Sequence, residues 1–438
     1  MKNSQTSNTQ ILKRQARLVA LIVISSILIG AIVALFLWLL TLAIHYRFAH
    51  KWLLYLLPIA GLLIHFIYRS IGKSSEKGNN LIIDEIHEPA AGVPKRMTPI
   101  ILLTTIITHL FGGSAGREGT AVQIGGSIAS AFGRWFKADE KSHRLLLITG
   151  IAAGFGAVFG TPVAGAIFAI EVLTISRVEY KAILYVLLAG FVADYTVALI
   201  GIKHTAYHID LFKSDNSAYL PFDGFLLTKV IIASIAFGLA AWLFAAMAHS
   251  IKRFFLRLFK HQWIIPLIGG VIIIALTYFI GKPDYLSLGV DAEYPGAVTI
   301  PSAFHAGGAD TFSWLWKTIY TTITLSTGFK GGEVTPLFFI GATLGNTLSA
   351  LLHSPAGLFA GLGFIAVFAG ATNTPVACAV MGIELFGPEY AAYFFVSCFV
   401  AYLFNGYASI YSSQLIFTDG AKSLKRYLYN KVSKYRIR

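Results

Sequence analysis

The sequence predicts an all-α integral membrane protein, and three observations carry that expectation. Apolar residues fill 56% of the 438 positions, while Asp, Glu, Lys and Arg fill only 13%, against roughly 25% charged residues in soluble chains. At roughly 20 residues per crossing, the apolar blocks could supply on the order of ten spans. The excess of 35 Lys and Arg over 21 Asp and Glu falls in clusters between those blocks, as positive-inside loops require, so no nucleic-acid partner is expected.

The elements follow in order. Polar residues at 1–8 and the cations Lys13, Arg14 and Arg17 precede an apolar run at 18–45 that lacks a small-residue cleavage pattern. A retained first helix is expected, with 1–17 as a cytosolic N-terminal segment. His45, Tyr46 and Arg47 end that helix, and a second is expected at 52–68. The chain turns polar and Gly-rich between 71 and 95, then apolar at 98–111, 120–132, 145–175 and 180–202.

A polar connector at 203–224 carries His204, His208, Asp210 and Asp215 ahead of helices expected at 225–248 and 262–281. The next connector holds Asp284, Asp291, Glu293 and Asp310 without a basic excess, which fits the outer side of a membrane. Apolar segments return at 313–327, 334–351, 356–371, 375–386 and 389–404, and a basic cytosolic tail is expected at 416–438. Cys378 and Cys398 lie in apolar segments with no His or Cys at ligand spacing, so both read as buried thiols and no cofactor or metal is expected.

Several apolar pieces are too short, at 1.5 Å per residue, to cross a roughly 30 Å hydrocarbon core. Their ends must therefore expose backbone groups at membrane depth, where protein, water or an ion has to satisfy them. An internal repeat accompanies them. Thr161, Pro162, Val163, Ala164, Ala166 and Glu171 recur 213 residues later as Thr374, Pro375, Val376, Ala377, Ala379 and Glu384. Gly-rich segments at 112–119 and 328–332 precede apolar helices containing Gly125 and Gly341. Interrupted helices at matching places in two halves, about 52–202 and 225–404, point to a duplicated transport fold with its site near mid-membrane. Glu171 and Glu384 either cap, pair or reach an interface, or they transfer protons.

The chemistry concentrates where the glycines meet helix starts. In Gly112-Gly113-Ser114-Ala115-Gly116-Arg117-Glu118-Gly119-Thr120 an acid stands at a helix N-terminus, where backbone N–H groups can bind an anion. An ionised carboxylate there competes with the anion for donors and vacates them on protonation, which links proton and anion movement. Glu118 is thus an exchanging gate or a structural partner of Arg117. In Gly328-Phe329-Lys330-Gly331-Gly332-Glu333-Val334-Thr335-Pro336, Pro336 suits a first helical turn, and Glu333 is protonated part of the time, paired with Lys330, or directed into a proton path. Tyr407 and Tyr411 could each give one neutral donor to an anion or anchor an interface. Two other classes compete: an intramembrane serine hydrolase built on Ser114 and His109, and a cation route through Glu118, Asp194 and Glu333.

Gly116-Arg117-Glu118-Gly119, Gly331-Gly332-Glu333-Val334-Thr335-Pro336 and Tyr411-Ser412 together resemble the CLC family of chloride channels and anion/proton antiporters, across about 18–415. The resemblance implies an inverted-repeat fold of tilted, broken helices, homodimeric with one pore per subunit. It makes Glu118 the external gate, puts Gly119, Val334 and Thr335 around the anion, and makes Tyr411 the tyrosine of the central site. The chain also departs from the family pattern. Gly78-Asn79-Asn80-Leu81-Ile82 stands where Gly-Ser-Gly-Ile-Pro is usual, so Asn79 replaces the anion-contacting serine; Thr120 replaces Pro; and Glu333-Val334 replaces an apolar residue and Phe.

With Asp84-Glu85-Ile86-His87 and the short tail, these departures resemble the bacterial fluoride/proton antiporter branch. That resemblance implies a secondary active transporter, not an enzyme, which exports fluoride on the proton gradient and confers fluoride resistance. It further implies an inner (plasma) membrane location, cytosolic termini, and partners limited to fluoride, protons, lipids and a second copy. The family's internal proton acid matches a region near Thr205, leaving Glu333 as the candidate for that role. Segments 185–200 and 390–404 are candidate dimer faces, with lipid contact as the alternative. A divergent chloride/proton antiporter or passive anion channel shares the fold, and a structural or receptor-like membrane protein is the reading from another class.

Overall fold

The computed structural model describes residues 2–90, 92–175, 182–209 and 223–416; the expected tail beyond 416 lies outside them. Fifteen α-helices carry the described chain: α1 (Lys2–Ala49), α2 (Leu57–Ile67), α3 (Asn79–His87), α4 (Met97–Leu110), α5 (Glu118–Trp135), α6 (Glu140–Phe159), α7 (Pro162–Glu171), α8 (Ile183–Ile200), α9 (Gly224–Leu258), α10 (Ile264–Ile280), α11 (Ser313–Ser326), α12 (Val334–Leu351), α13 (Ala356–Thr372), α14 (Pro375–Phe386) and α15 (Ala391–Phe404). Two short parallel strands, Thr174–Ile175 (β1) and Leu415–Ile416 (β2), add the only described sheet. Six helical stretches are long and apolar enough to cross a membrane, and most of the other apolar helices run 10–17 residues.

The structure refines three readings. The apolar stretch at 145–175 is two helices, because Gly160 adopts φ 71° as a left-handed cap and Pro162 opens a new first turn. The same device divides α13 from α14, with Asn373 at φ 58° and Pro375 next. The polar stretch at 71–95 holds helix α3, and the N-terminal polar segment is already helical from Lys2.

Glycines bring the broken helices close. A Cβ on Gly332 would lie 2.6 Å from the Gly119 nitrogen, a separation that only a missing side chain permits. In the packed pairs α5–α6 and α12–α13, Gly125 meets the Gly150 carbonyl and Gly341 meets the Gly363 carbonyl. Small residues here allow helices to approach backbone to backbone, the usual basis of helix association in lipid.

The repeat has a direct structural counterpart. Glu171, at the end of α7, accepts hydrogen bonds from Val376 N (3.1 Å) and Ala377 N (2.8 Å) at the start of α14. Glu384, near the end of α14, accepts from Val163 N (3.0 Å) and Ala164 N (2.7 Å) at the start of α7. Each acid therefore satisfies amides that the other helix start would leave unpaired, so capping is the geometry both adopt.

The acidic connector before α11 is fastened to the helices. Fully buried Lys317 donates to the carbonyls of Ser287 (2.7 Å) and Tyr285 (3.1 Å). Arg47 meets Glu293 at 2.8 Å, with both side chains nearly buried.

Candidate functional site

Two Gly-rich turns meet in the middle of the fold. Gly116 N donates to Gly332 O at 2.6 Å and Gly332 N to Gly116 O at 2.7 Å, a small antiparallel bridge. Immediately beyond it, α5 starts at Glu118 and α12 starts at Val334. The first amides of two helices, each at the positive end of its dipole, therefore converge on one place.

The Glu118 carboxylate occupies that place. The residue is only 1% exposed. Its Oε2 accepts from Arg117 N at 3.1 Å and from Thr335 N at 2.9 Å. The Thr335 hydroxyl lies 2.6 Å from both carboxylate oxygens, and Arg117 Nε stands 3.6 Å from Oε1. The charge at the start of α5 is thus held by donors from its own helix start and from that of α12.

Two cavities lie near this junction, and Glu118 lines one of them. The larger, about 260 Å³, is lined by Asn79, Glu333 and Tyr411 together with Gln123, Lys252 and Lys330. The smaller, about 20 Å³, is lined by Arg117, Glu118, Thr335, His204, Thr205 and Tyr207. Val334 links them in sequence, standing between Glu333 in the first and Thr335 in the second, and is 1% exposed.

All seven site residues expected from the sequence gather around this junction, though not in one chamber. The missing side chain of Gly119 accounts for part of the arrangement, because a Cβ there would lie 3.1 Å from Asn79 Nδ2 and 3.7 Å from Glu333 Oε2. Gly78, at φ 60°, turns the chain into α3 and presents Asn79. Asn79 Oδ1 is buried with no hydrogen-bond partner. Tyr411 is 5% exposed, its backbone N–H bonded to Ser409 Oγ at 3.0 Å.

The competing constellations do not assemble. Ser114 Oγ lies 2.9 Å from Thr321 Oγ1 and is not hydrogen-bonded to His109, so no nucleophile–base pair is formed. Glu118 and Glu333 line different cavities, and Asp194 sits on α8 beside His204 rather than in line with them. Thr205, matched to the internal proton acid, lines the cavity beside Glu118 and not the one containing Glu333. Of the three readings offered for Glu333, pairing with Lys330 is not the one adopted: the Lys330 ammonium stands 4.3 Å from the Tyr68 ring centroid. Sequence reasoning passed over Gln123 and His204, which sit within segments read only as an apolar helix and a polar connector.

A carboxylate seated on two converging helix starts, with one cavity against it and another at the neighbouring Glu333, defines a multi-span membrane transport protein for anions. The chain belongs to the voltage gated chloride channel family, whose model matches residues 60–406. It is 43% identical to a chloride/fluoride channel protein of Pseudomonas syringae pv. tomato over 403 residues, covering 92% of this chain and 87% of that one. Its structure is similar to the crystal structure of a CLC-type fluoride/proton antiporter, with TM-score 0.85 and 34% identity over 92% of this chain and 98% of the other. A slow cyanobacterial Cl-/H+ antiporter shares the fold at TM-score 0.74 and 19% identity, over 96% and 99% of the two chains.

Proposed function

We propose that this protein is a fluoride/proton antiporter that exports fluoride on the inward proton gradient. The observation that carries the reading is the Glu118 carboxylate bound by the Thr335 amide and hydroxyl and by Arg117 N. These donors serve one anion at a time. When Glu118 takes a proton its claim on them weakens, the side chain leaves, and a fluoride entering the vacated donors completes a coupled exchange. A fixed cation would hold a bound anion without any such link to protons.

Fluoride is small and strongly hydrated, so its site must replace water with several strong donors. Along its route fluoride meets Asn79 and the Tyr411 phenol in the larger cavity, the helix-start amides at Gly119 and Val334, and the Thr335 hydroxyl that Glu118 vacates. Glu333 takes the proton-path role, since it lines the larger cavity beside Asn79 and Tyr411. The similarity to a fluoride/proton antiporter and to a chloride/fluoride channel protein supports fluoride over chloride as the substrate.

Sidedness follows from charge. The larger cavity includes Lys252 on the basic end of α9, so it is assigned to the cytosolic side, with both termini. Tyr207 of the smaller cavity packs on Phe304 in the acidic connector at 5.7 Å, which assigns that cavity to the outside. The crossed Glu171 and Glu384 caps support two inverted halves. Exposed Phe191, Tyr195 and Leu199 on α8 and Phe399 on α15 support a homodimer with one pore per subunit in the bacterial inner membrane.

The test is simultaneous recording of fluoride and proton flux from liposomes, with chloride as the comparison anion. Fluoride efflux accompanied by proton uptake supports the proposal. Equal or faster movement of chloride, or fluoride conduction without protons, would replace it with chloride/proton exchange or passive conduction.

A further inference from the structure

We propose that His204, with Asp194 beside it, relays protons between the outer solution and Glu118 through a single intervening water, an assignment that rests on the antiport reading above. His204 Nε2 lies 3.9 Å from Asp194 Oδ1, and the two side chains are 24% and 28% exposed, so the pair reaches both solvent and interior. His204 lines the same cavity as Glu118, and that cavity measures about 20 Å³. A space of roughly 10–15 Å³ or more holds one water, provided polar partners surround it. Arg117, Glu118, His204, Thr205, Tyr207 and Thr335 supply those partners.

The fold holds the imidazole in place. Its ring lies over the turn between α6 and α7, where a Cβ on Gly160 would come within 2.6 Å of Cδ2. The left-handed Gly160 that divides those helices therefore also makes room for the ring. Beside it, the Tyr207 ring packs on Phe304 at 5.7 Å and on Phe364 at 5.2 Å, closing the cavity with apolar surface.

The titratable and charged groups facing the His204–Asp194 pair are Arg117 just before α5, Glu118 at its start, Tyr207 from the connector after α8 and, on the Asp194 side, Glu384 from α14, while Phe364 of α13 and Leu385 of α14 bring apolar surface. Burial pushes the His204 imidazole down to about 4, Arg117 lowers it further, and a hydrogen bond with the Val158 backbone partly offsets both. At neutral pH the ring is therefore uncharged, with one nitrogen donating and the other accepting. Such a group can pass a proton without storing one.

The step balances simply. One proton from outside joins the His204–Asp194 pair. The imidazole releases one to the cavity water as that water gives one to a Glu118 oxygen. A single proton has then moved inward, and no other bond has changed.

The experiment reconstitutes full-length wild type, His204→Gln and Asp194→Asn in liposomes. It records fluoride and proton fluxes together across a range of outer pH, at low and high outer imidazole buffer, and measures fluoride affinity by calorimetry. His204→Gln should slow both fluxes together by about tenfold or more, at or below the effect of a directly acting acid–base group. Its fluoride affinity should stay near wild type, its outer-pH profile should shift, and outer imidazole should restore its rate; Asp194→Asn should shift the same profile less. A wild-type rate and pH profile in His204→Gln overturns the relay while leaving antiport intact, as does a slow variant with an unshifted profile that imidazole does not rescue. If His204→Gln binds no fluoride, Asp194→Asn decides, and an unshifted profile there overturns the relay. Wild type that moves fluoride without protons removes the antiport reading and the relay together.

Discussion

Thr335 presents its hydroxyl at 2.6 Å to both carboxylate oxygens of Glu118 and donates its backbone N–H to one of them at 2.9 Å. A residue at the start of α12 thus holds the acid at the start of α5. Contacts of this length to a charged oxygen are among the stronger hydrogen bonds in proteins. The acid therefore stays seated until it takes a proton.

Glu118→Gln keeps the size of the side chain and removes proton exchange. Fluoride-driven proton movement in liposomes should fall to background, whatever fluoride flux remains. Coupled movement at the wild-type ratio would remove Glu118 from the gate.

Thr335→Val deletes the hydroxyl and leaves the helix-start amide. A hydrogen bond to a charged group contributes about 1.5–3 kcal/mol, so fluoride should bind about ten- to a hundredfold more weakly by calorimetry. Thr335→Ser should lie close to wild type. If Val and Ser bind alike, the hydroxyl is not a ligand.

Asn79→Asp puts a second carboxylate near Glu333, across the space left by Gly119. Like charges so close disfavour a further anion. Fluoride binding should be lost at neutral pH and return as the pH falls and the new carboxyl takes a proton. Undiminished binding at neutral pH would place fluoride away from Asn79.

Glu171→Gln and Glu384→Gln each leave one of two capped amides facing an NH2 donor and the other on an uncharged oxygen. Each should lower stability by about 1–3 kcal/mol, read as a lower thermal midpoint, with the fluoride-to-proton ratio unchanged. A changed ratio at unchanged stability would make these acids proton carriers instead of caps.

Much of this was legible in the sequence because helix-start chemistry is local. Gly116 to Thr120 and Gly331 to Pro336 announce tight turns opening apolar helices, and both segments do so around one carboxylate. Hydropathy also located the spans, since burial in lipid requires long apolar runs. It failed where structure depends on one backbone torsion: nothing in the continuous apolar composition of 145–175 marks the left-handed turn at Gly160 except Thr161-Pro162. Helix α3 was invisible for the opposite reason, because a short helix at the edge of a cavity can be polar. That Glu171 and Glu384 cap each other's partner helix, and that His204 shares a cavity with Glu118, are long-range facts with no local signal.

The most direct test of the competition between Glu118 and fluoride is the number of protons taken up when fluoride binds, obtained by calorimetry in buffers of different ionisation enthalpy. If fluoride takes over the donors that hold the carboxylate, wild type should gain close to one proton per fluoride bound and Glu118→Gln none. Fluoride binding to wild type without proton uptake would mean that anion and carboxylate occupy separate places, and the account would be wrong at its centre.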